Sequence, residues 1–418
     1  MEEKADIFVS GLIQKILNDD GLRFRETLLK LNSKEKNYFE KIILENKISA
    51  IFLKFISKND LVDLFTNSFI ENCTFQQNRF QLHSLEIIKE VHHINKVFTK
   101  EGLTPIYIKG IALQNEYEDI SLRPLVDIDV LFKESEILRA YELLHHNNLL
   151  NDKEKQHLNK NNLSHFFKYQ HHIEVKTKNN ISVELHHRVT KSNEKKFINC
   201  PISSQFFDDF RSINYHGMEI NIPSIENTII HQLCHFSLNN DFYGLLRTLT
   251  DINKLIYSYE VNWKDIILKY ESKKIRKALC LSLDIFHLNK IQIKNFHKIK
   301  KKFPAYFPDK NILKEAQVKL YSGSNKKING ESLYSAIFGY GHDSIKDILK
   351  RTFFPNKEAL IYKFKIQNPN KYKLLNIYLR YLCKQFFKIK NLLYLLITNF
   401  NSAHRKDAML TKIWINED

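Results

Sequence analysis

The sequence predicts an α+β protein in which a small mixed β-sheet lies between two helical regions. Three observations predict this class: helical spacing of apolar residues up to about residue 100, strand-like runs between residues 104 and 222, and helical spacing again from Ser224 onward. A chain of 418 residues exceeds the usual size of one hydrophobic core, so we expect more than one packed unit. We place an N-terminal helical region at 1–79, an α/β core at 80–223 and a C-terminal helical domain at 224–418.

The first region is helical because its apolar residues recur three or four positions apart, as at Leu12, Ile13 and Ile16. Asp60 and Asn72 are typical of turns or caps between helices. Residues 80–98 predict one long helix that leads into the core.

In the core, the patterns predict strands at 104–108, 126–132, 165–170 and 181–188, with helices at 111–117 and 134–146. Residues 213–222 predict a hairpin around His216-Gly217. The remainder of the chain has helical spacing interrupted by prolines and glycines, such as Pro304 and Gly323.

The composition indicates a cytoplasmic protein. No stretch approaches the roughly 20 apolar residues that cross a bilayer, and the acidic start of the sequence is unlike an export signal. The five cysteines have no CxxC spacing, so we expect reduced, buried thiols; they are Cys73, Cys200, Cys234, Cys280 and Cys383. The net charge of +17 permits attraction to phosphates or RNA, but an AT-rich coding bias explains a lysine excess equally well.

The sharpest chemical feature is the pair Asp127 and Asp129 within residues 126–132. Side chains alternate along a strand, so both carboxylates point one way, and Val126, Ile128 and Val130 cover the core on the other face. Two carboxylates so close require a cation, and a hard divalent ion with oxygen ligands meets that need.

Glu184 is a natural third carboxylate because it projects from the polar face of the strand at 181–188. Three carboxylates from adjacent strands can hold two Mg²⁺ ions, an arrangement typical of phosphoryl transfer. Upstream, Lys109 and Gly110 occupy a strand-to-helix turn, where backbone N–H groups and a lysine favour phosphate. Arg123, ahead of the acidic strand, is a further candidate for the triphosphate.

The order of these elements resembles the bacterial uncharacterised nucleotidyltransferase family of the polymerase β superfamily. The resemblance is carried by residues 106–113, Arg123, 126–132, 183–188, 230–235 and 246–252, and it spans roughly 80–288. It implies that Asp127, Asp129 and Glu184 bind metal and that Lys109 and Gly110 meet the triphosphate. The wider superfamily has Gly-Ser at this turn, whereas this chain has Gly110-Ile111, and the resemblance implies that the lysine compensates.

Three more residues are candidates for nucleotide binding: His186, His231 and Arg247. His186 follows Glu184 on the same strand face, and it either orients a carboxylate or is a polar core histidine. His231 and His235 lie one turn apart, and we favour a structural or substrate-lining role over a zinc site because no further ligand is near. Arg247 contacts nucleotide or forms an intrahelical ion pair with Asp251.

We therefore expect a metal-dependent nucleotidyltransferase that uses Mg²⁺ or Mn²⁺ and an NTP as co-substrate. It would pass NMP to a hydroxyl or phosphate of an acceptor (a small molecule, a peptide or protein, or RNA) and release pyrophosphate. Two alternatives stay open: a catalytically degenerate scaffold that retains the fold, and a toxin-like tRNA nucleotidyltransferase. The sequence does not indicate an oligomeric state.

Overall fold

The structure, a computed structural model, confirms the α+β class. It describes residues 11–152, 163, 166–167, 170–189, 202–239, 246–270, 272–321, 354–355, 357, 360, 364, 371–384 and 414. The predictions for His165, Cys200 and Gly323 lie outside these residues.

The N-terminal region is helical, as predicted. Residues 11–17 are helical, and the helices that follow them are α1 (Gly21–Leu29), α2 (Ser33–Glu45), α3 (Ser49–Lys58) and α4 (Asn67–Lys100). Helix α2 begins with a reciprocal cap between Asn32 and Glu35, and Thr66 caps α4. Asp60 follows α3 with a positive φ of 52°, as a turn residue does.

The prediction of a break at Asn72 is wrong, because Asn72 lies on the exposed side of the continuous helix α4. A single asparagine within a helix costs only about 0.5 kcal/mol relative to alanine. The buried face of the 34-residue helix outweighs that cost.

One six-stranded mixed sheet forms the core, in the order β3-β4-β2-β1-β6-β5. The elements of this region are β1 (Ile106–Tyr107), α5 (Gly110–Gln114), β2 (Ile128–Leu131), α6 (Ile137–His146), β3 (His172–Lys176), β4 (Ser182–His186), α7 (Ile202–Asp208), β5 (Phe210–Tyr215) and β6 (Met218–Pro223). Strand β2 pairs in parallel with β4 and antiparallel with β1. The hairpin turn at His216-Gly217 is confirmed, and both residues have positive φ, as a two-residue hairpin loop requires.

The strand predicted at 165–170 is wrong where the structure describes it. Phe166 and Phe167 are helical, and the strand begins at His172. A short apolar run is compatible with a helix or a strand. The pairing with β4 begins at His172, so the strand lies later in the chain than predicted.

The buried apolar residues form two clusters. One lies between the sheet, the second half of α4 and α6. The other joins the N-terminal helices to the helices after Ser224, which are α8 (Ile225–Cys234), α9 (Leu246–Ser258), α10 (Trp263–Lys269), α11 (Lys273–Leu288), α12 (Phe296–Lys302) and α13 (Lys310–Tyr321). The predicted boundaries at 79/80 and 223/224 remain predictions.

Two expectations from composition have a structural counterpart. Among the described helices, none combines the length and apolar character that a membrane crossing needs. Cys73, Cys234 and Cys280 are buried thiols as expected, whereas Cys383 is exposed on the helix at 371–384.

Candidate functional site

The predicted carboxylates converge at the junction of two parallel strands. Asp129 of β2 lies directly opposite Glu184 of β4 in the register, so both side chains project from the same face of the sheet. Asp127 precedes β2 by one residue and shares this face by strand alternation. Asp129 is only 1% exposed, whereas Asp127 and Glu184 are partly exposed.

Val126 does not cover the core as the alternation predicted. It is 41% exposed, because the strand begins only at Ile128. Ile128 and Val130 are buried on the opposite face, as expected. Asp127 therefore lies where the strand starts, between exposed Val126 and buried Asp129.

Lys109 lies between β1 and α5 with a backbone that few lysines adopt, φ 52° and ψ −116°. This conformation costs on the order of 1–3 kcal/mol and occurs mainly at functional sites. The Nζ atom donates to Asp129 Oδ1 at 2.5 Å and to Glu184 Oε2 at 3.1 Å. Burial acts to lower the pKa of Lys109, but Asp129 and Glu184 raise it above its usual value. The strained turn thus delivers a permanent positive charge to the carboxylates.

Gly110 follows Lys109 and begins α5, as the predicted strand-to-helix turn requires. A Cβ at this position would lie 3.2 Å from Leu125 Cδ2, closer than side chains usually pack. A side chain here would have to displace Leu125 by a few tenths of an ångström, so glycine favours close packing of the turn against the loop before β2.

His186 is fully buried and contacts both carboxylates. Its Nε2 lies 2.9 Å from Asp129 Oδ1 and 3.0 Å from Glu184 Oε2. Burial opposes protonation, but hydrogen bonds to the two carboxylates raise the pKa of His186 overall. The two interpretations from sequence are therefore compatible, because this core histidine also orients carboxylates.

The three acids differ in their acidity. Burial and the charge of Asp129 raise the pKa of Asp127 to about 6. Burial also acts to raise the pKa of Glu184, but the His186 hydrogen bond and the Lys109 charge lower it well below its usual value. Glu184 is thus ionised at any ordinary pH, and Asp127 changes charge close to neutrality.

The donor set fits a divalent cation. Asp129, Glu184 and His186 each place a ligand atom within 4.8 Å of the others. Asp129 Oδ2 is buried and has no hydrogen-bond partner among the described residues, although a buried carboxylate oxygen is costly without one. An ion at this position would supply that partner.

Arg123 lies on the same side of the core as the carboxylates, but its guanidinium is hydrogen-bonded to Asp251. Its Nε donates to Asp251 Oδ1 at 2.8 Å and Oδ2 at 3.0 Å, and its Nη1 donates to the Pro124 carbonyl at 3.0 Å. Tyr117 donates to the same carboxylate at 2.9 Å. Asp251 therefore pairs with Arg123. The ion pair between Asp251 and Arg247, one of the two interpretations from sequence, is not formed.

Arg247 has no such partner in the part of the chain that the structure describes. Its Nη1 is buried without a hydrogen bond among the described residues, although the residue as a whole is partly exposed. Burial and the nearby charge of Arg123 lower the pKa of Arg247 to about 10, while Asp251 and Asp127 oppose this. A desolvated guanidinium therefore lies near Asp127.

Lys47 joins this cationic group from the N-terminal helices, and sequence reasoning missed it. It lies at the turn between α2 and α3 with φ 57°. Burial lowers the pKa of Lys47, as does the charge of Arg247, while Asp127 raises it. A lone lysine in a helical region carries no local signal, because only the tertiary fold brings it to Asp127.

His231 lies on α8 as a fully buried residue whose Nε2 has no hydrogen-bond partner in the described part of the chain. Burial lowers its pKa, and the charges of His235, Lys109 and His186 act in the same direction. His231 is thus a neutral imidazole near the site, and within the described residues no metal-type cluster includes it.

His172 is a second residue that sequence reasoning missed. Its Nε2 lies 3.9 Å from Glu184 Oε1 on the neighbouring strand, and its Nδ1 lies 2.9 Å from Nε2 of His171. Burial and the charge of His186 lower the pKa of His172 to about 4, so this imidazole is neutral at pH 7. The histidine pair itself was the available signal, but it lay just beyond the strand predicted at 165–170.

A family described as uncharacterised nucleotidyltransferase matches residues 32–289. The matched segment is more than half of the chain, and it includes Lys47 as well as the carboxylates and Arg247. No curated protein matches the chain.

Proposed function

Because the chain belongs to the family of uncharacterised nucleotidyltransferases, we propose that it transfers a nucleoside monophosphate from an NTP to an acceptor hydroxyl or phosphate. The acceptor oxygen bonds to the α-phosphorus, and the bond from that phosphorus to the departing pyrophosphate breaks. The observation that carries this proposal is the in-register convergence of Asp129 and Glu184 beside Asp127 and Lys109.

Asp127, Asp129 and Glu184 would hold the divalent cation, Mg²⁺ or Mn²⁺. When bound, such an ion neutralises phosphate charge and makes the attacking hydroxyl more acidic. The unpartnered Asp129 Oδ2 supports this assignment because the fold leaves that oxygen for a ligand. His186 would keep Asp129 and Glu184 oriented through its Nε2.

Lys109 would serve two partners in turn. Its ammonium holds Asp129 and Glu184 in the structure described here, and it lies next to the turn at Gly110 where phosphate oxygens can approach backbone N–H groups. A bound cation would take over the carboxylates, which leaves the lysine charge for the phosphates.

The triphosphate would lie on the other side of Asp127, where Arg247 and Lys47 supply positive charge. An arginine without a carboxylate partner can form paired hydrogen bonds to phosphate oxygens. Arg123 would position this wall through Asp251 rather than bind the nucleotide itself. His231 would line the pocket behind it.

The first test replaces two carboxylates in the full chain. Asp127→Ala together with Asp129→Ala should abolish labelling of any acceptor by α-labelled NTPs and Mg²⁺ in a cell extract, while the melting transition persists. Asp284→Ala is the matched control, because Asp284 is another buried carboxylate with a lysine partner, Lys300 at 2.7 Å. NTP-dependent labelling that survives in the double variant would refute the mechanism.

The same assay separates the acceptor classes and the alternatives. Label on RNA favours the toxin-like modifier of tRNA, and label on a protein or small molecule identifies those acceptors. If neither Mg²⁺ nor Mn²⁺ changes NTP binding in calorimetry, the non-catalytic scaffold is favoured. We place the reaction in the cytoplasm, an environment that keeps the thiols of Cys73, Cys234 and Cys280 reduced.

A further inference from the structure

Three histidines gather on the outer side of the carboxylates. His172 on β3 lies directly opposite His186 on β4 in the antiparallel register, and His171 precedes it. One ring nitrogen from each lies within 4.8 Å of the others. This cluster, His171, His172 and His186, is not used by the proposed nucleotidyl transfer except through His186.

The two nitrogens of His186 have different surroundings. Nε2 faces Asp129 and Glu184, so it is the nitrogen that donates a proton to them. Nδ1 is buried and has no hydrogen-bond partner in the described residues. Because Nε2 is engaged with the carboxylates, Nδ1 is the ring nitrogen of His186 that remains for a metal ion. Histidines that bind metal are oriented by a carboxylate in this way.

His171 and His172 extend the cluster toward solvent. Their facing nitrogens are 2.9 Å apart, a distance at which one must donate a proton to the other. Both residues are partly exposed, with the His172 side chain at 24%, so an ion can reach them. A metal ion in place of the shared proton would satisfy both lone pairs at once.

The local charge favours a cation. Asp129 and Glu184, the two carboxylates that contact His186, share the ammonium of Lys109. Glu184 also lies 3.9 Å from the Nε2 atom of His172. An added dication is therefore attracted to a region in which carboxylates outnumber the contacting ammonium.

We propose that His171, His172 and His186 form a binding site for a transition-metal ion of the Zn²⁺ class beside the carboxylates. Imidazole nitrogens prefer Zn²⁺, Co²⁺ or Ni²⁺, whereas Mg²⁺ prefers the carboxylate oxygens, so the two sites select different ions. Metal–nitrogen bonds of about 2.0–2.1 Å place tetrahedral ligand atoms roughly 3.3 Å from one another. The facing nitrogens of His171 and His172 are 2.9 Å apart and one ring nitrogen of each of the three histidines lies within 4.8 Å of the others, so small side-chain rotations reach this spacing. Three protein ligands leave one position for water or for an acceptor group.

The test measures metal binding without any turnover. The metal-stripped full chain is titrated with Co²⁺, and the visible absorption of Co²⁺ bound to nitrogen ligands is recorded with and without excess Mg²⁺. His171→Ala with His172→Ala should weaken this binding at least tenfold and remove the absorption, and Mg²⁺ should not compete. The double variant His92→Ala with His93→Ala is the matched control, because this adjacent pair lines a separate cleft of about 960 Å³ on α4.

Unchanged Co²⁺ binding in the His171/His172 variant would overturn the proposal, as would an equal loss in the His92/His93 control. A second measurement on the wild-type chain does not depend on how the variants fold. Zn²⁺ should protect His171 and His172 from modification by diethyl pyrocarbonate, read by peptide mass spectrometry, and leave exposed His93 reactive. Equal modification of all three with and without Zn²⁺ would also refute the site. Both readouts are independent of whether NMP transfer occurs.

Discussion

Charge is compensated differently on the two sides of Asp127. On the sheet side, Asp129 and Glu184 receive hydrogen bonds from Lys109 and His186 within 3.1 Å. On the helical side, Arg247 and Lys47 form no salt bridge among the described residues, and burial lowers the pKa of both. Desolvating a cation without an anionic partner is costly.

Each side of Asp127 therefore lacks a different kind of ligand. On the sheet side, Asp129 Oδ2 and His186 Nδ1 are the buried atoms of these groups that have no hydrogen-bond partner among the described residues, so this side needs only small cations. The helical side has surplus positive charge, so it needs an anion with several acceptor oxygens. In a metal-bound triphosphate, the metal ion would meet the need of the sheet side and the phosphate oxygens that of the helical side, with Asp127 between them.

The largest expected effect distinguishes Arg123 from Arg247, the two arginines on the helical side of Asp127. Arg123→Met should reduce the free energy of unfolding by about 3–5 kcal/mol, because it leaves Asp251 buried without its cation. Arg247→Met should leave stability unchanged or slightly higher, since it removes a guanidinium with an unpaired nitrogen. Arg247→Met should also weaken NTP binding by about 2 kcal/mol, or roughly 30-fold.

Urea unfolding and calorimetry with each NTP measure the two quantities separately. If Arg247→Met destabilises the fold as strongly as Arg123→Met, Arg247 is structural and the distinction between the two arginines fails. If Arg123→Met weakens NTP binding without loss of stability, the roles are reversed.

The sequence was sufficient where local geometry determines the answer. Asp127 and Asp129 could be placed on one face because side chains alternate along a strand, and Glu184 could be placed on the polar face of its own strand because Val183 and Leu185 flank it. It was insufficient where a partner distant in the chain decides. Asp251 pairs with Arg123 rather than with Arg247 one helical turn away, and the contact joins residues 128 positions apart.

Lys47 and His172 illustrate the same limit. Lys47 reaches Asp127 only because α2 and α3 pack against the core, a contact that no helical pattern specifies. His172 could be recognised only once β3 was paired with β4, because it lies two residues beyond the predicted strand. The break predicted at Asn72 failed because long-range burial of α4 outweighs a weak local preference.

A smaller effect concerns Asp127, which lies between the sheet side and the helical side. The pKa of Asp127 is raised to about 6 from 3.8 in the unfolded chain, so its contribution favours folding below about pH 3.8 and is lost as pH rises through 6. Ionised Asp127 therefore lowers the stability of the metal-free protein by about 2–3 kcal/mol at pH 7.5. Asp127→Asn should be more stable than wild type by this amount at pH 7.5 and equal to it near pH 4.

Urea unfolding in the presence of a chelator, repeated from pH 4 to pH 8, measures this difference. Added Mg²⁺ should reduce it at pH 7.5, since only the wild-type carboxylate gains a cation. A stability difference that does not vary with pH would show that Asp127 ionises normally, and the sheet side would then need no cation for stability.

The smallest expected effect tests whether the N-terminal helices belong to the site at all. Lys47→Met should weaken NTP binding by about 1 kcal/mol, roughly fivefold, and the loss should shrink at high salt because the lysine is only partly buried. Lys54→Met is the matched control, since Lys54 lies on the next helix but is exposed and paired with Glu118. An equal effect of both variants would mean that general positive charge attracts the nucleotide. An effect of Lys47 alone would extend the triphosphate site beyond the sheet and α9, and would explain why the family match begins ahead of the α/β core.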